Sequence, residues 1–184
     1  MNTHPSTQHF PSKLRAASVG LMLAVLTILF GQGMGIVFGL NEDMIKSRLK
    51  ADAAEVQGTI YQDDKAASKA VVDKSWTYMK RAHLHAGGMG TTAIALIIVL
   101  CLVGASGKVT TLISLALGAG GLGYSIFWMW AGFRAPGLGS TGAAKESLKW
   151  LAMPSSGGFV LATIAVLIVV IAWMRASRRQ ESQP

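Results

Sequence analysis

Charge is the first thing this chain lacks. Only 14% of its 184 residues are Asp, Glu, Lys or Arg, where an average soluble domain carries about 25%. Together with 51% hydrophobic residues and a mean hydropathy of +0.43, this excludes a disordered chain and argues against a soluble globular domain. Acidic residues are scarcer still. There are nine, all in loops or the C-terminal tail, so no span carries the embedded carboxylate that a proton-coupled transporter or pump usually needs. The single cysteine, Cys101, lies inside an apolar run and cannot form an intrachain disulfide; it reads as a small buried apolar residue. No HExxH, GxSxG or phosphate-binding glycine loop is present, and the chain is read as a non-enzyme. Its net charge of +8 comes from residues at the edges of apolar runs or among acids. No basic cluster is interleaved with aromatics, which excludes nucleic acid as a partner.

What is abundant is long apolar sequence. A membrane helix needs about 20 mostly apolar residues to cross a hydrocarbon core of roughly 30 Å. Four stretches qualify, at about 16–40, 84–103, 109–133 and 156–174. None shows a polar face recurring every 3.6 residues, so they are not helices of a soluble core. The first is too long for a signal-peptide core, and no small-residue cleavage site follows it closely. The fold class is therefore all-α integral membrane, with one four-helix membrane domain over 16–174. A polar tail at 1–15, carrying Pro5 and Pro11, is expected to be disordered, and 175–184 to form a basic tail. Only Gly104–Lys108 separates the second and third spans, which forces a tight antiparallel hairpin.

The segments between the spans are not uniform. Residues 41–82 read as an extramembrane helical hairpin. Asn41 can cap a helix whose first turn carries Glu42 and Asp43, and Met44, Ile45, Leu49, Ala53 and Val56 mark its apolar side. Gly58–Asp64 reads as a turn. Asp63 or Asp64 can start a second helix, on which Val72, Trp76, Met79 and His83 form one stripe. That stripe runs without a breaker into the second span. The second long loop begins with a stop at Arg134-Ala135-Pro136-Gly137. A short interfacial helix at 141–152 follows, capped by Ser140 or Thr141, carrying Trp150 and ended by Pro154.

Glycines are the most specific signal. Gly31, Gly35 and Gly39 repeat every four residues on the first span, Gly87 opens the second, and Gly118 and Gly123 lie in the third. In lipid, where packing and not hydrophobicity drives association, such positions let helices approach closely. They serve either packing within the monomer or contacts with other membrane helices, in a homo-oligomer or a larger complex. Histidine and methionine give a second candidate site. Gln32, Met34, His83, His85, Met89, Tyr124, Trp128, Trp130 and Arg134 all fall in the same half of the bilayer. His83 and His85, two residues apart, are turned about 200° from each other and cannot face one ion. Met79 with His83, and His85 with Met89, each share a face. Thioether plus imidazole suits copper or haem iron, with His85 and Met89 the preferred pair. The competing assignment for the histidines is an interfacial belt or a bridge between helices.

Two functions follow from these residues. One is a non-enzymatic accessory or assembly subunit acting through its glycine faces and its hairpin; the other is a haem- or copper-binding redox or metal-handling protein. The flanks of the first and fourth spans, Lys13 and Arg15 against Glu42 and Asp43, and Arg175, Arg178 and Arg179 at the end, place both termini in the cytoplasm by the positive-inside rule. Lys80 and Arg81 argue the other way. The expected location is the plasma (inner) membrane.

Overall fold

The computed structural model describes residues 9–181, and it is all helical over the regular part of that range. In chain order the helices are α1 (His9–Ala16), α2 (Ser18–Ala54), α3 (Lys65–Leu102), α4 (Gly107–Gly137), α5 (Thr141–Ser147) and α6 (Lys149–Glu181). Helices α2, α3, α4 and α6 are long and apolar enough to cross a membrane. The protein is an all-α, multi-pass membrane protein with an extramembrane helical hairpin between its first two spans.

The hairpin does not consist of separate helices. α2 is 37 residues long and runs through Asn41, the one position inside it with non-helical backbone angles, φ −138° and ψ 34°. The expected cap is therefore a kink between membrane and extramembrane portions of one rod. α3 continues through the junction without a break, as its Val72–His83 stripe requires. Between them, residues 55–64 turn the chain, with Gln62 and Asp63 at positive φ. The Asp64 carboxylate then caps α3, accepting from the backbone N–H groups of Ala66 and Ala67 at 2.9 Å each.

Four boundaries differ from those the sequence suggests. Of the tail expected to be disordered, residues 1–8 lie outside the described range, and His9–Ala16 forms α1. Pro11 does not prevent this, because it stands in the first turn, where no N–H has a helical partner. α4 does not stop at Arg134 but continues to Gly137 with Pro136 inside its last turn; Gly139, at φ +65°, makes the turn instead. Pro154 does not end the interfacial helix. The break falls at Leu148, leaving α5 only seven residues long, and Trp150 lies in the first turn of α6, which carries Pro154 inside it. A proline there removes a single hydrogen bond, a loss that membrane helices tolerate. Finally, α6 carries the basic segment on as helix to Glu181.

Helix α4 is the axis of the assembly, packing against α2, α3 and α6, while α2 and α3 also pack against each other. Its glycines explain why. A Cβ on Gly118 would meet the Gly20 carbonyl oxygen of α2 at 2.4 Å, and one on Gly120 the Ser155 carbonyl oxygen of α6 at 2.7 Å. Gly132 receives the Met79 sulfur of α3. A nearly side-chain-free surface on three sides lets three neighbours approach one helix. Two apolar cores result. One, with Ala24, Ile97, Leu100 and Leu117, fills the membrane portion towards the termini. The other, with Leu49, Tyr78, Met79, Trp128 and Leu148, joins the hairpin to α4 and to the segment after α5. The hairpin is anchored at its tip as well: the Tyr61 hydroxyl donates to the Pro136 carbonyl at 2.8 Å, and Ile60 presses on Gly139.

Candidate functional site

His83 and His85 lie near the middle of α3, where its polar first half gives way to its apolar second half. His83 Nδ1 is 2.7 Å from the Gly31 carbonyl of α2, so the imidazole donates there. Its Cε1 lies where a Cβ on Gly35 would come to 2.9 Å, and Phe38 approaches edge-on at 6.1 Å. Gly31 and Gly35 thus form the floor on which His83 rests, and Gly31 also receives Ala86. His83 is a bridge between α2 and α3.

His85 faces α4. Its ring stands 5.1 Å from Tyr124 and stacks on Trp128 at 6.1 Å with an interplanar angle of 23°. Trp128 in turn meets Tyr78 and Phe127 edge-on. The Arg81 guanidinium lies over both the Trp128 and Tyr78 rings, at 5.0 and 5.5 Å. The indole nitrogen of Trp128 is buried without a hydrogen-bond partner. A cation held over these aromatic faces, worth about 0.5–2 kcal/mol per contact, ties α3 to α4 at their crossing. Tyr78, Arg81 and Phe127 were not legible as members of this cluster from composition. The three- and four-residue steps of Tyr78, Arg81 and His85 were the available signal.

Of the two expected ligand pairs, one is separated and one is not. Met79 and His83 are four apart, but four residues overshoot one turn by about 40°, and at this position that difference separates two neighbours: Met79 inserts against Gly132 of α4, His83 against α2. His85 and Met89 do share the α4 side, Met89 lying beside Gly121. Yet among the described residues no group of three or more His, Cys, Asp or Glu is placed to hold a metal ion. The arrangement gives no support to a copper or haem centre at these residues.

The glycines divide into two sets. Gly31, Gly35, Gly118 and Gly123 are engaged inside the monomer, Gly123 against Ser155 of α6. Gly39 and Gly87 are not: a Cβ at either would meet nothing within 4 Å. The engaged set also includes Gly20 and Gly90, of which Gly20, isolated in sequence, gave no repeat to notice. Comparison with protein families, with curated proteins and with solved structures finds no match for this chain.

Proposed function

We propose that this protein is a non-enzymatic accessory or assembly subunit that binds another transmembrane helix through the outer face of α3. The observation that carries this reading is the small-residue surface left open there. Gly87 and Gly88 have open space beside them, and Thr91 and Ala95 follow on the same exposed side. Gly33 and Gly39 on α2 and Gly157 and Gly158 on α6 also have open space beside them. On α3, however, the open glycines are extended by the exposed Thr91 and Ala95, so the surface there is surplus to the packing of the monomer. In lipid, a stripe of small residues allows the close backbone approach that drives helix association. The partner is a second copy of this chain or a helix of a larger complex.

The orientation proposed with it puts both termini in the cytoplasm of a plasma (inner) membrane protein. Lys13, Arg15, Lys108, Arg175, Arg178 and Arg179 gather at the terminal end, where Glu181 is the one acid in the sequence. At the hairpin end eleven basic residues, spread over about twice the length, stand among eight acids. The test of the function is the native mass in a mild detergent. Wild type should run above the monomer. Gly87→Leu should bring the mass down while leaving thermal stability unchanged, because its side chain enters open space. A wild-type mass equal to the monomer's, with no second polypeptide retained on mild-detergent purification from the native membrane, would refute the proposal.

A further inference from the structure

Outside the membrane, the two arms of the hairpin enclose a groove of about 690 Å³. Its floor is apolar, with Ala53, Val72 and Trp76, and its rims carry five lysines, Lys46, Lys50, Lys65, Lys69 and Lys80, against one carboxylate, Asp73. Lys46 is paired with Glu42 and also lies over the Trp76 ring, and Lys69 is paired with Asp73 at 2.6 Å. Lys50, Lys65 and Lys80 have no ion-pair partner among the described residues. At the upper end the Gln57 amide nitrogen is buried without a hydrogen-bond partner. The opposite side of the hairpin is covered by α4 and the segment around Leu148, so the groove is the hairpin's free side.

We infer that this groove is the docking site for an acidic amphipathic helix of a partner protein. Three features select that occupant. The lining repeats at helical steps on both arms, Lys46-Lys50-Ala53 and Lys69-Val72-Trp76-Lys80, and so forms a channel parallel to both axes, into which an apolar helix face fits. Lys65 and Lys80 are 15 residues apart, which is about 22 Å along α3. A lipid headgroup at the level of Lys80 cannot reach Lys65, and a small anion would need converging cations rather than a row. An excess of unpaired ammonium groups calls for carboxylates. The carboxylates would meet the lysine rims, the apolar stripe would cover Trp76 and Val72, and a partner carbonyl would satisfy Gln57. This deepens the accessory-subunit reading and rests on it, adding a water-side contact to the membrane one.

The experiment uses the full chain in nanodiscs of zwitterionic lipid. The probe is a fluorescent Glu/Leu amphipathic peptide of about 15 residues, the length that spans 22 Å. Anisotropy should show saturable binding that weakens as salt rises, because exposed ionic contacts are screened. The double variant Lys50→Glu/Lys65→Glu should lose about tenfold or more in affinity. Lys74→Glu, on the hairpin but outside the groove lining, should bind as wild type, and so should Gly87→Leu, which tests only the membrane face. A peptide of the same composition with its leucines scattered should bind far more weakly. Equal binding of both peptides, or equal loss in Lys74→Glu and the double variant, would overturn the docking site. So would full displacement by dodecanoate at submicellar concentration, which would assign the groove to small anions. If Gly87→Leu becomes monomeric and still binds the peptide, the groove stands on its own. If wild type is monomeric and retains no second polypeptide yet binds, the membrane proposal fails and this one does not.

Discussion

Adding one methyl group to a glycine should move stability in opposite directions at two positions that look alike in the sequence. At Gly118 the new Cβ would lie 2.4 Å from the Gly20 carbonyl oxygen and 2.8 Å from the Leu23 Cβ. Non-bonded heavy atoms prefer about 3.5–4.0 Å, so α2 and α4 must separate locally by about 1 Å. The obstructing atoms are backbone and Cβ, which cannot rotate away. Overpacking of this kind costs about 1–3 kcal/mol, and the loosened crossing adds lost dispersion contacts, so Gly118→Ala should fall at the upper end of that range. At Gly87 the same methyl meets open space. There alanine only reduces the freedom of the unfolded backbone, a gain of roughly 0.5–1 kcal/mol. The two variants should therefore differ by about 3.5–4 kcal/mol in unfolding by denaturing detergent, with near-native helicity before the transition. Equal midpoints would refute the argument that α4 is held by glycine contact.

Tyr61 links the hairpin tip to α4, and burial raises its phenol above the ordinary value of 10. The neutral form is the one the fold favours, so its contribution is complete below pH 10 and disappears as pH rises through the raised value. Tyr61→Phe should lose about 1–2 kcal/mol at neutral pH and abolish the alkaline step in proteolysis of the hairpin. His83→Ala should cost about 1–2 kcal/mol, from the lost bond to Gly31 and the space left over Gly35, whereas Leu84→Ala, on a side chain 68% exposed, should change stability little in a thermal scan. In a Cys101→Ser background, an impermeant thiol reagent on intact cells should label Thr59→Cys and not Gln180→Cys; the reverse pattern inverts the orientation.

The parts of this architecture that follow local rules were readable from residue order. Four apolar runs need nothing but length, and Asp64 and Ser140 act as caps because a carboxylate or hydroxyl there meets free N–H groups. Asn41 marked a discontinuity, although a kink and a cap leave the same trace in sequence. What could not be read depends on neighbours distant along the chain. Whether a glycine faces α2, α6 or lipid is set by helix rotation, which an apolar run leaves undetermined when every side is hydrophobic. Gly35 and Gly39, one turn apart, have opposite fates for this reason. The Tyr61–Pro136 bond joins residues 75 positions apart, and nothing local to either announces it. The histidines were the intermediate case. Their opposed directions follow from two steps of helix, but the carbonyl that receives His83 does not.

The unbroken course of α3 has a mechanical consequence. Its 38 residues span about 57 Å, and a hydrocarbon core takes up roughly 30 Å of that. A lever of about 27 Å thus stands clear of the bilayer, rigidly continuous with a span and fastened at its far end to α4 through Tyr61. Helices answer a change in bilayer thickness by tilting. A tilt of about 10° about the membrane surface would carry the hairpin tip sideways by roughly 5 Å, close to one helical turn. The lysines along the lever would travel with it, so thickness of the surrounding lipid becomes lateral position on the water side.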